Sequence, residues 1–158
     1  MRRHLPRALR LIAVVTMLAG FASQARAQQR VGVRAGVSAQ PDQFYLGVHV
    51  ETSPIVDRLR FRPNVEIGLG DDVTLAAFNV EFAYPIPLQN SPWSLYVGGG
   101  PALNITDVHT DPQGSGDTRA GGGFNILVGL VHGRRFFTEL KVGALDSAEL
   151  KFGVGVTF

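Results

Sequence analysis

The chain has 158 residues, room for one domain. It contains no cysteine, which excludes a disulfide framework, a thiolate metal site and a thiol nucleophile. Its formal charge of +2 hides an asymmetry: Arg2, Arg3, Arg7, Arg10 and Arg26 stand at the front with no acid among them, and without them ten basic residues face 13 acidic ones. The remainder is net negative, so a nucleic-acid reading loses its electrostatic support.

Residues 1–27 read as a cleavable signal peptide. "MRRHLPRALR" is a positive leader, "LIAVVTMLAGF" an apolar run too short to span a bilayer comfortably, and "ARA" before Gln28 a small-x-small cleavage triplet. No cysteine follows the site, which excludes a lipoprotein anchor. Residues 28–158 are then the exported domain.

Within that domain the hydrophobic period is two throughout, in segments separated by Gly, Pro, Asp, Asn and Ser clusters. Eight strands are predicted in chain order. They are "RVGVRAGV" from Arg30, "QFYLGVHVE" from Gln43, "LRFRPNVEIGL" from Leu59, "TLAAFNVEFAY" from Thr74, "WSLYVGGGPALN" from Trp93, "GFNILVGLV" from Gly123, "FFTELKVGA" from Phe136 and "ELKFGVGVTF" from Glu149. Pro63 and Pro101 lack the donor that a ladder needs, so each predicts a bulge or a strand end. Leu75 falls on the wrong face of the fourth strand. Every aspartate is expected in a turn or loop.

One face of every strand is apolar and uncharged. The other carries Arg34, Tyr45, His49, Glu51, Arg60, Arg62, Asn64, Glu66, Asn79, Glu81, Tyr96, Asn125, Glu139, Lys141, Glu149 and Lys151. Five basic residues (Arg34, Arg60, Arg62, Lys141, Lys151) meet five acidic ones (Glu51, Glu66, Glu81, Glu139, Glu149). A solvated face has no reason for such balance, whereas a narrow closed interior must pair the charges it buries. Eleven glycines share the polar face, among them Gly36, Gly129, Gly153 and Gly155. Glycine weakens a strand unless something close needs the space, and tyrosine and arginine side chains from across a small lumen would need it. A tight turn around Leu145 predicts that Lys141 faces Glu149 and Glu139 faces Lys151. Glu51 and Glu81 are expected on either side of Arg60 and Arg62.

The pattern of a signal peptide, alternating strands of about ten residues and a terminal aromatic resembles the small eight-stranded outer-membrane barrels of Gram-negative bacteria, the OmpA/OmpX type. The resemblance implies an all-β fold: an eight-stranded antiparallel up-and-down transmembrane barrel in the cell outer membrane. In that family the last strand carries a signal read by the barrel-assembly machinery: a polar residue, a glycine, an apolar residue and a final aromatic. Lys151, Gly153, Val156 and Phe158 match it. The resemblance also implies that both termini and the connections "TSPIVDR", "PIPLQNSP" and "HGRR" face the periplasm. The connections Ser38–Asp42, Gly70–Asp72, Thr106–Ala120 and Ala144–Ala148 would face outward. Trp93 and Tyr84 flank a periplasmic turn, where interfacial aromatics belong.

Some barrels of this type modify lipid A with a Ser–His–acid set. In the third outer loop His109, Ser115, Asp107 and Asp111 could supply one, but no nucleophile elbow accompanies them. The same loop's aspartates lack the EF-hand spacing for calcium. His49 reads as part of the polar interior and His132 as a turn residue. The sequence therefore predicts no catalytic residue, cofactor or metal. The expected partners are outer-membrane lipid and the assembly machinery, with no nucleic acid and an unidentified extracellular or periplasmic contact. The role is structural or interactive, with the lumen plugged by paired charges. A lipid A-modifying enzyme and a soluble periplasmic barrel binding protein are the alternatives.

Overall fold

The computed structural model describes residues 29–71, 73–108 and 117–158. The expected signal peptide and its cleavage site lie outside the described residues. Eight strands follow in chain order: β1 (Arg30–Ala39), β2 (Gln43–Glu51), β3 (Arg60–Leu69), β4 (Val73–Pro87), β5 (Trp93–Val108), β6 (Asp117–His132), β7 (Phe136–Leu145) and β8 (Leu150–Thr157). Each pairs antiparallel with its chain neighbours, and β8 pairs with β1, closing an up-and-down barrel with no free edge.

The barrel is apolar outside. On every strand one face presents large apolar side chains outward, exposed as at Val33, Leu46, Ile67, Phe82, Leu103, Ile126, Phe136 and Phe152. The alternate residues are buried inside and are mostly polar or charged. Leu75, out of phase in sequence, lies inside with Ala77, Asn79, Glu81 and Ala83. Its strand therefore keeps one phase and simply places an apolar side chain in the lumen. A small interior cluster of Ala83, Tyr96, Leu127 and Phe137 packs beside the charged residues.

β5 and β6 run further than the alternation predicted. Their ladder continues from Trp93↔His132 to Val108↔Asp117. Asp107 and Asp117, expected in a loop, are strand positions. Thr106, Asp107, Thr118 and Arg119 interrupt the apolar alternation, but main-chain pairing does not depend on side-chain polarity. Of the third connection, residues 109–116 lie outside the described residues, and with them His109, Asp111 and Ser115.

The two prolines behave differently. The β2–β3 pairing ends at His49↔Asn64, immediately before Pro63. At Pro101 the β4–β5 ladder breaks between Asn79↔Ala102 and Phe82↔Gly99, then resumes in the same register, so no bulge forms.

The glycine requirement comes from nearer than expected. Gly129 sits opposite Tyr96 on the adjacent strand, and Gly155 opposite Phe137. A β-carbon at either glycine would collide with that ring. Gly36 and Gly153 stand under the Tyr45 hydroxyl in the same way. At these four positions aromatic rings occupy the space, and Tyr45 reaches Gly153 from two strands away, as expected of a tyrosine in a small lumen.

The β7–β8 register also corrects an expectation. Lys141 pairs with Lys151, and Glu139 with Gly153, a shift of two residues. The connection after Leu145 does not turn tightly. It folds Ser147 and Ala148 inward, where both are buried, and leaves Glu149 exposed. The Asn104 side-chain amide donates to Asp146 O at 2.9 Å and to Ser147 Oγ at 3.3 Å, pinning the connection over the mouth opposite the start of β1.

Candidate functional site

The centre of the lumen holds seven ionisable side chains from five strands. Arg34 comes from β1, Arg62 and Glu66 from β3, Glu81 from β4, Glu139 and Lys141 from β7, and Lys151 from β8. Strand alternation sends all seven inward, and all are buried. Lys141 Nζ donates to Glu81 Oε1 at 2.6 Å and to Glu66 Oε1 at 2.7 Å, and lies 3.5 Å from Glu139 Oε1. Lys151 Nζ donates to the other Glu66 oxygen at 2.9 Å. Two lysines directly opposite each other would repel, but here Glu66 takes one on each carboxylate oxygen.

The arginines complete the cluster. Arg34 Nη1 donates to Glu139 Oε1 at 3.0 Å and Glu66 Oε1 at 3.3 Å. Arg62 Nη2 donates to Glu139 Oε2, which also accepts from the Tyr96 hydroxyl at 2.8 Å. The Arg62 guanidinium stacks over the Tyr96 ring at 5.0 Å and the Phe137 ring at 5.4 Å. Beside them runs an amide chain: Asn125 donates to Asn79, and Asn79 to Asn64, each at 2.8 Å. This arrangement fills the barrel with mutually neutralising groups and binds strands to one another across the lumen.

A second cluster lies at the end of the barrel where β1 begins and β8 ends. Glu51 Oε1 accepts from Arg60 at 2.7 Å and from Arg30 at 3.3 Å. Arg30 also donates to the main-chain oxygens of Thr157 and Arg134. Arg30 was not among the residues expected inside, although it shares its parity with Arg34.

The sequence-predicted residues thus fall in three places. Arg34, Arg62, Glu66, Glu81, Glu139, Lys141 and Lys151 meet in the central cluster. Glu51 and Arg60 form the terminal cluster with Arg30. Glu149 joins neither, because the two-residue register shift leaves it outside, facing the Gln40 amide at 2.6 Å. Without it the central cluster has four cations against three carboxylates, so the expected charge balance gives way to an excess of one. Arg34 Nε and Nη2 and Arg62 Nε have no hydrogen-bond partner among the described residues.

The four residues matched to an assembly signal do not form one surface. Lys151 and Gly153 point inward, Val156 and Phe158 outward. The Phe158 N–H donates to Val31 O at 2.8 Å, continuing the seam between β8 and β1. Of the two flanking aromatics, Tyr84 donates to Asp57 Oδ2 at 2.6 Å and Trp93 packs on the His132 ring at 4.7 Å. His49 is buried, with Nε2 3.0 Å from the Thr157 hydroxyl and its ring against Phe137.

Closed, antiparallel, charged within and apolar without, the chain has the architecture of a small transmembrane β-barrel. Solved structures of that architecture are similar to it. The N-terminal β-barrel domain of Pseudomonas aeruginosa OprF superposes with a TM-score of 0.63 at 15% identity, over 82% of this chain and 95% of that one. Neisserial surface protein A gives 0.60 at 15% identity, over 82% and 94%. Designed transmembrane β-barrels give 0.52 at 11% identity, over 85% and 98%. No protein-family model and no curated protein matches the sequence.

Proposed function

We propose that this chain is an exported outer-membrane barrel protein of the OmpA/OmpX type, with a structural or interactive role in the cell envelope. The single observation that carries the reading is the exposed apolar surface on all eight strands around a charged, occluded lumen. Large contiguous apolar patches are rare on proteins that work in water, and a bilayer accepts only closed strands with every main-chain group paired. The termini and the connections 52–59, 88–92 and 133–135 then face the periplasm, with outer-membrane lipid around the belt.

The role is non-enzymatic in this reading. Of the described histidines, His49 is enclosed between Thr157 and Phe137, and His132 packs on Trp93. In this reading the paired charges plug the lumen. The experiment is fractionation combined with a gel run with and without boiling. The protein should partition with the outer membrane and migrate faster unheated. A soluble fraction with identical mobility in both lanes would remove the membrane reading.

A further inference from the structure

We propose that the mouth of the barrel where β1 begins and β8 ends binds a small organic phosphate. A cavity of about 250 Å³ opens there. Arg30, Arg58, Arg60 and Arg134 line it, and Glu51 is the only carboxylate among its lining residues. Glu51 spends one oxygen on both Arg60 and Arg30. Asp57, the other acid of the adjoining turn, is held by the Tyr84 hydroxyl. Apart from the deeper Arg62, the lining sets four arginines against one carboxylate, and an excess of two remains once the neighbouring Asp57, whose charge a neutral hydroxyl does not cancel, is counted.

Deeper in the same cavity lies Arg62, which is buried and whose Nε has no partner among the described residues. Guanidinium groups converge best on anions with several coplanar or tetrahedral oxygens. A doubly charged phosphomonoester answers an excess of this size better than a single carboxylate does. Pro85, Pro87 and Val131 supply a stiff apolar wall for the organic part. The phosphate could belong to a free solute or to the monoester headgroup of phosphatidic acid, which present the same chemistry.

The folded protein in detergent micelles should be titrated with glycerol phosphate at fixed ionic strength and heat of binding measured. Saturable binding is expected, at least tenfold weaker in the double variant Arg58→Gln with Arg134→Gln. Both side chains are exposed and outside the central cluster, and retained heat-modifiable mobility will verify folding. Arg135→Gln, at the same end but not lining the cavity, should leave binding within twofold. Repeating the titration in nanodiscs separates the sources. Binding lost in discs containing phosphatidic acid but kept in phosphatidylcholine discs assigns the site to a lipid headgroup. Binding kept in both assigns it to a free phosphate. No saturable binding in micelles or nanodiscs, or equal weakening by Arg135→Gln, would overturn the proposal.

Discussion

The Lys141 ammonium touches Glu66 and Glu81 and lies within ion-pair reach of Glu139. All three carboxylates are buried, so none can turn to water if the cation is lost. Breaking a buried pair by removing one partner costs about 3–5 kcal/mol. Lys141→Met should lower the stability of the folded barrel by that amount, measured by urea unfolding in phospholipid vesicles. Glu81 is the carboxylate to neutralise in compensation, since its Oε2 has no hydrogen-bond partner among the described residues. Lys141→Met with Glu81→Gln should recover part of the loss. Glu149→Gln should neither rescue it nor change the wild type by more than about 0.5 kcal/mol, because Glu149 is exposed. Rescue by Glu149→Gln and not by Glu81→Gln would mean that the β7–β8 register is wrong.

A strand of this barrel is defined by which side of it meets apolar surroundings. Val154 stands midway along β8 on the outward face and is 50% exposed. Val154→Arg should destabilise the protein in vesicles by about 2–4 kcal/mol if it lies near the midplane. Leu145→Arg, at the strand end facing the distal mouth, should change stability little. Equal, small effects at both positions would place the outward face in water. The faces were legible in sequence because period two survives wherever one face is uniformly apolar. That is why Leu46, Phe78 and Phe152 could be separated from Tyr45, Asn79 and Lys151. The strand ends were not legible. Around Thr106 and Arg119 both faces turn polar while the main chain keeps pairing, and no side-chain pattern reports that. Nor was the β7–β8 register, because the connection folds Ser147 into the mouth, where it meets Asn104, 43 residues away in sequence. Glu81, expected beside Arg62, does lie 3.7 Å from its guanidinium, but the second carboxylate escaped for the same reason. The Cα neighbour of Arg62 is Glu81, but its guanidinium reaches Glu139 across the lumen.

At the scale of the whole barrel, closure and delivery are separable demands on the last strand. The β1–β8 seam runs from Ala39↔Leu150 to Gly32↔Thr157, and Phe158 adds one further main-chain bond to Val31. Its ring is 66% exposed and faces away from the lumen. Deleting Phe158 therefore removes about one net hydrogen bond, worth ~0.5–1.5 kcal/mol, plus apolar contact with surrounding lipid. The central ion pairs and the other seven seams stay as they were. If Phe158 acts chiefly as an address for the assembly machinery, the two settings must respond differently. In cells, the deletion should be exported normally but accumulate in the periplasm or be degraded, with a large fall in outer-membrane levels. Refolded from urea into vesicles without any machinery, it should regain the faster unheated mobility to nearly the wild-type yield. A refolding yield that falls as far as the cellular level would assign Phe158 to closure of the barrel. Normal outer-membrane levels in cells would remove the address altogether.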